Sequence, residues 1–232
     1  MIDVEKIYAV LTGDLVKSSR LTNVESSGAM SRLKKVAAAF AEQHPNSVVG
    51  RMDTFRHDSW QLLLQNPALA FRIAVFLRAA LKLQSDASTK YDTRISIGIG
   101  KVELISKRRI SDSRGPAFTC SGKGLDAIDG RCLALVTGDD PPTLWHMLER
   151  GVVPLIDCVV SDWTPTESRA VYSALKGWTQ AETAKNWPQR VKTDKKPTRQ
   201  AVGDSLLRAH WSTVDGVLFW AETQIAQAYG LA

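Results

Sequence analysis

The chain has 232 residues, enough for one large domain or two small ones with a proper core. Apolar residues make up 44% and charged residues 23%, an ordinary globular balance; charges interrupt every apolar stretch, which excludes a spanning helix, and the opening MIDVEK is no secretory leader. The net charge of +6 favours an anionic partner, while Cys120, Cys132 and Cys158, scattered and odd in number, suit a cytoplasmic protein with reduced thiols rather than a disulfide framework or a zinc knuckle.

Ile7, Tyr8, Ala9, Val10 and Leu11 form an apolar run that fits a central strand covered on both faces. Thr12, Gly13 and Asp14 are expected to end it. A carboxylate there, followed by the polar turn Lys17, Ser18 and Ser19, can hold a cation and offer backbone N–H groups to phosphate; alternatively, Asp14 simply caps the turn. Met30, Leu33, Val36, Ala37 and Phe40 have helical spacing within 23–43, and Pro45 with Asn46 closes that helix.

Residues 47–64 read as two short strands joined at His57, Asp58 and Ser59. A helix over 67–84 carries Phe71, Ile73, Ala74, Phe76, Leu77 and Leu81 on a face broad enough to cover a sheet, and TRISIGIGKVE at 93–103 alternates as a strand. Strand, helix, hairpin, helix, strand is the split βαβ, ferredoxin-like order, α+β with helices expected on one face of the sheet. Right-handed crossovers then put the first strand in the middle, antiparallel to the strand beginning at Trp60, and bring Asp14 beside Asp58. Two carboxylates at one sheet edge repel unless a cation neutralises them, so the pair reads as a Mg²⁺ site or as two solvated turn aspartates.

Lys107, Arg108, Arg109 and Arg114 form a basic patch; Gly115 and Pro116 break the chain before a helix over 117–128, and 131–138 reads as a further strand. The first half of 141–162 reads as helix, the second half, VVPLIDCVV, as ambiguous.

These residues, taken together, resemble two families. Asp112, Gly115 and the helix that follows resemble the D-x-x-G motif of class III nucleotidyl cyclase domains, and Gly13-Asp14, HDSWQLL and RISIGIG fall in that family's order. The phrases TGD and GPA, with the C-terminal part, are similar to the SatD family, in which such a domain is joined to a helix-turn-helix. The resemblance implies metal binding by Asp14, Asp58 and the Leu15 carbonyl, purine reading by Asp112, and nucleotide contacts from Lys17, Ser18, Ser19 and Lys123. Thr119 replaces the family's transition-state asparagine, Lys123 its arginine and Thr54 its base-reading lysine, and His57 stands where glycine is usual. A lysine lacks the planar fork of arginine toward phosphate, so nucleotide binding survives these changes better than cyclisation does. The readings kept are a purine nucleoside triphosphate and Mg²⁺ sensor, an active cyclase or transferase, and a degenerate dimerisation scaffold.

Thr164 with Glu167 and Thr179 with Glu182 are capping boxes opening two helices, and Thr198, Arg199 and Gln200 lead a third. The last two look like a helix-turn-helix whose second helix enters the DNA major groove, interrupted by 187–197, where Arg190, Lys192, Lys195 and Lys196 are placed to meet phosphate. A helical bundle used for self-association is the alternative. The last helix, over 212–229, has a stripe of Val214, Val217, Leu218, Trp220, Ala221, Ile225 and Ala226 that serves its own domain or a homodimer. The expected division is 1–140 for the α+β domain, 141–163 for a connecting helix and 164–232 for the DNA-binding unit.

Overall fold

The computed structural model describes residues 6–106, 108–137, 142–189 and 195–231. Strands β1 (Ile7–Leu15), β2 (Val48–Phe55), β3 (Ser59–Leu64), β4 (Thr93–Lys101) and β5 (Leu133–Thr137) form one sheet in the order β2-β3-β1-β4-β5. β1 lies in the middle, antiparallel to β3 and β4, as the order of elements suggests, and β5 adds a parallel edge beside β4. Strand β1 does not end at Thr12. It runs through Asp14 to Leu15, paired with Ser59 and Trp60 on one side and with Thr93, Arg94 and Ile95 on the other.

Alternation along β1 sends Ala9, Leu11 and Leu15 to one face and Tyr8 and Val10 to the other. On the first face lie α1 (Asn23–Gln43), opened by a capping box between Thr22 and Glu25, and α2 (Ala70–Lys82), preceded by a 3-10 turn at Pro67–Leu69. Residue after residue of α2 is buried, on every side, because further helices cover the flank that α1 and the sheet leave open. Phe71 and Phe76 are fully buried there, each stabilising the fold by roughly 1.5–3 kcal/mol.

Helices do not keep to one face, contrary to expectation. Helix α3 (Pro116–Ala127) lies on the opposite face, its Ala117 and Phe118 against Tyr8, Val10 and Leu63. Small residues decide this: Ser96, Gly98 and Gly100 of β4 point that way, and a Cβ on Gly98 would stand 2.5 Å from the Ser121 amide nitrogen. The stretch after β5 is helical in both halves: α4 (Pro142–Met147), a π turn at Leu148–Val152 and, over the ambiguous VVPLIDCVV, mainly α5 (Val153–Asp162). Gly138 and Pro141, where sequence boundaries fell, lie outside the described residues.

The C-terminal part comprises α6 (Pro165–Leu175), α7 (Gln180–Lys185), α8 (Arg199–Arg208) and α9 (Trp211–Ala228). Its start at Thr164 coincides with a cap, but not with a break in packing. Val171, Leu175, Val214, Leu218, Ala221 and Ile225 belong to the same core as Leu11 and Phe76. Arg72 of α2 reaches Asp215 at 2.9 Å and also pairs with Glu222, and Trp163 Nε1 donates to the Ala209 carbonyl at 2.9 Å. The stripe of α9 is thus largely spent on its own chain, while Trp220 stays 37% exposed beside Phe219 at 67%. No helix among the described residues is long and apolar enough to cross a membrane.

Candidate functional site

Asp14 and Arg94 are direct cross-strand partners on the face that α3 covers. Arg94 Nε donates to Asp14 Oδ1 at 2.8 Å and its Nη2 donates to Oδ2, a two-pronged fork that raises the guanidinium pKa above its ordinary value. Behind it, Thr93 Oγ1 donates to the Asp14 carbonyl at 2.6 Å and accepts Trp60 Nε1–H at 3.0 Å. The Trp60 ring crosses Gly13 so closely that a Cβ there would overlap it.

Asp58 comes alongside, as expected: its carbonyl accepts the Leu15 N–H at 3.0 Å. Its carboxylate accepts Ser18 Oγ–H at 2.6 Å and Ser59 Oγ–H at 3.2 Å. Lys17, in the left-handed region at φ 53°, starts the 3-10 turn Ser18–Arg20; it and Ser19 are exposed, whereas the Ser18 hydroxyl is turned onto Asp58.

Mg²⁺ demands a near-octahedral oxygen shell. Both Asp14 oxygens are held by Arg94, both Asp58 oxygens accept hydroxyls, and no group of three His, Cys, Asp or Glu gathers among the described residues. Leu15, whose carbonyl is the third member of the implied set, ends β1. As arranged, these residues do not fit a divalent ion, because a guanidinium already supplies the neutralising charge.

A cleft of about 420 Å³ opens above the fork, lined by Thr12, Asp14, Arg56, Gln61, Arg94 and Asp126 among others. Gln61 Nε2 donates to Thr12 Oγ1 at 3.0 Å, and Thr12 Oγ1 lies 2.8 Å from Ser121 Oγ, tying the cleft floor to α3. The structure does not bring the remaining implied residues to this floor. Lys123 is exposed on α3, between the lining residues Gly122 and Leu125. Thr119 is exposed, and its hydroxyl donates to the Gly115 carbonyl one turn back at 3.3 Å. Asp112 is exposed in the 3-10 turn Ile110–Asp112, which packs against β2.

What anchors that turn is Asp53, which no motif in the sequence marks. Its Oδ2 accepts Ser111 Oγ–H at 2.5 Å, Ser111 N–H at 3.2 Å and Arg109 Nε–H at 3.2 Å. Burial works against its charge, but Ser111 and Arg109 outweigh it and hold Asp53 below its ordinary pKa. A depressed folded pKa means that this docking contributes stability above the unfolded value near 3.8 and loses it as pH falls through the folded value. Asp53→Asn is therefore expected to lower the unfolding free energy from urea titration at pH 7 by about 0.5–1 kcal/mol for so exposed a pair. Wild type and variant should diverge least once the pH has fallen through the folded value, below 3.8, and a pH-independent difference would show that the charge is not what docks the turn. Arg108 and Arg114 are exposed, and Lys107 lies outside the described residues.

In the C-terminal unit, α6, α7 and α8 pack around Ala170, Trp187 and Val202. Thr164 and Thr179 close their capping boxes, and Thr198 Oγ1 accepts the Ala201 N–H at 3.1 Å, so this hydroxyl caps α8. Lys195, Lys196, Arg199 and Gln200 are exposed before and at the start of α8, although Lys196 Nζ donates to the Lys185 carbonyl at 2.7 Å. Arg190 and Lys192 lie outside the described residues.

No family model matches the chain, and no curated protein matches it in sequence. Solved structures do. The guanylyl cyclase Cya2 is 18% identical, over 56% of this chain and 74% of that one, with a TM-score of 0.41. The active GGEEF domain of a diguanylate cyclase from Vibrio cholerae is 11% identical, over 59% of this chain and 85% of that one, with a TM-score of 0.40. Both likenesses are partial.

Beneath the cleft lies a buried ion network with no motif to announce it. Arg78 of α2, 1% exposed, forks onto Asp92 at 3.0 and 2.7 Å and reaches Asp157 of α5 at 2.6 Å. Asp157 also accepts the Cys132 N–H at 3.0 Å, and Lys82 lies 3.7 Å from Asp92. Burial opposes the charge on Arg78, but Asp92 and Asp157 overcome it and hold its pKa above the ordinary value. The same burial, with Asp92 nearby, pushes the Cys132 thiol up to about 11, so it stays an unreactive thiol. Asp92, Thr93 and Arg94 are consecutive, which joins the floor of the cleft to α2 and α5.

Proposed function

We propose that this chain is a nucleotide-responsive DNA-binding regulator of SatD type: a ferredoxin-like, nucleotidyl cyclase-like domain offers the cleft above Asp14 and Arg94 to a purine nucleotide, and α6 to α8 act as a helix-turn-helix. The observation that carries the reading is the mutual packing of α6, α7 and α8, which leaves the first turn of α8 exposed behind the cations Lys195 and Lys196. Such a helix enters the major groove with its N-terminal residues at base edges while flanking cations meet phosphate. The surplus of positive charge in the whole chain supports the same partner. Two copies would read a symmetric site. Three cysteines outside any disulfide support work in the cytoplasm.

Coupling between the sites needs an element that both bias. The shared core supplies one: Arg94 lies at the start of β4 and Asp92 just before it, Asp92 holds α2 through Arg78, and α6 packs on α2. Mg²⁺ is left out of this reading because of the fork on Asp14. Cyclase activity is less well supported, since the Thr119 hydroxyl is spent on its own helix and Lys123 projects outside the cleft floor.

Fluorescence anisotropy with a mixed-sequence DNA duplex, read from 50 to 200 mM salt, tests the reading. Binding is expected to weaken steeply with salt, and Lys195→Ala with Arg199→Ala to flatten the log–log slope by about one for each phosphate no longer neutralised. ATP or GTP is expected to shift the affinity several-fold without magnesium, and Asp14→Ala to abolish that shift. DNA binding that is absent, or present but deaf to both nucleotides and to the α8 variants, would overturn it.

A further inference from the structure

We infer that Arg94 is a built-in cation standing where a divalent metal would sit at Asp14, so that this end of the sheet is closed to divalent ions. Three observations converge on it. Register makes Asp14 and Arg94 direct partners on one face, so the guanidinium meets the carboxylate without reaching. Its fork engages Oδ1 and Oδ2 together, and an entering metal would have to break both hydrogen bonds and settle beside a like charge. The backbone that carries the fork is pinned on both sides: Thr93 Oγ1 holds the Asp14 carbonyl at 2.6 Å, and the adjoining Asp92 is held by Arg78 at 2.7 Å. The strand that carries Arg94 is therefore fixed opposite Asp14. The second carboxylate, Asp58, has its oxygens turned to the Ser18 and Ser59 hydroxyls.

The inference does not rest on nucleotide binding, since the bare metal is its probe. The Arg94 side chain is 40% exposed against 16% for Asp14, so removing it opens the site without hollowing the core. Manganese is titrated into purified full-length protein, with free Mn²⁺ read by electron paramagnetic resonance. Wild type is expected to show no saturable site that depends on Asp14. Arg94→Gln is expected to gain one site, at least tenfold tighter than any wild-type binding, and Arg94→Gln with Asp14→Asn to lose it. Arg94→Lys, a cation without the fork, is expected to stay closed. Arg94→Met serves as a second opening variant should the glutamine not fold, judged by circular dichroism. Stoichiometric Mn²⁺ binding by wild type that Asp14→Asn abolishes would overturn the inference, and so would a folded opening variant that gains nothing.

Discussion

Replacing Arg78 with alanine is expected to destabilise the protein by about 3–5 kcal/mol, a large part of the stability of a typical domain. The size follows from what would be left behind. Asp92 and Asp157, with side chains 14% and 6% exposed, would face each other's charge with only Lys82 nearby, and burial penalises unpaired carboxylates heavily. An exposed pair such as Arg208 with Glu167, at 3.5 Å and with the arginine 59% exposed, is worth no more than about 1 kcal/mol. Urea unfolding checks the difference. Asp157→Ala in the Arg78→Ala background should cost less than Asp157→Ala alone, because the stranded charge is then gone. Equal costs in both backgrounds would mean that the network is not energetically coupled, and with it would fall the route from cleft to C-terminal helices.

The second large effect is expected at Gly98. A Cβ there would overlap the Ala117 carbonyl and the Ser121 amide, both backbone atoms of α3, so no side-chain rotation relieves it. Gly98→Ala should destabilise by about 2–3 kcal/mol, the upper part of the usual range for overpacking. It should also lift α3 and stretch the 2.8 Å contact between Thr12 and Ser121 beneath the cleft. Gly122 on the same helix is the control. A Cβ there meets nothing within 4 Å, so Gly122→Ala should be neutral or stabilising by up to about 1 kcal/mol. Thermal unfolding of the two variants separates close helix packing from a general intolerance of alanine in this region.

Local chemistry sufficed for much of this protein. The alternation of isoleucine in 93–103, the helical spacing in α1 and the Thr–Glu capping boxes at Thr164 and Thr179 each report a nearby backbone, because burial and capping act within a turn or a pleat. The order of elements also placed β1 mid-sheet with Asp58 beside Asp14, since crossover handedness leaves few arrangements. Alternation puts Arg94, Ser96, Gly98 and Gly100 on one face, but the register that sets Arg94 opposite Asp14 belongs to the assembled sheet.

Tertiary structure decided the rest. Only packing shows that α3 takes the second face of the sheet, that Asp53 docks the basic turn, and that Arg78 finds Asp92 and Asp157 from positions 14 and 79 residues away. A side chain's charge is read from sequence, but what neutralises it depends on which distant segments the core brings together, and that choice turned a carboxylate pair expected to hold a metal into one satisfied by a guanidinium and hydroxyls.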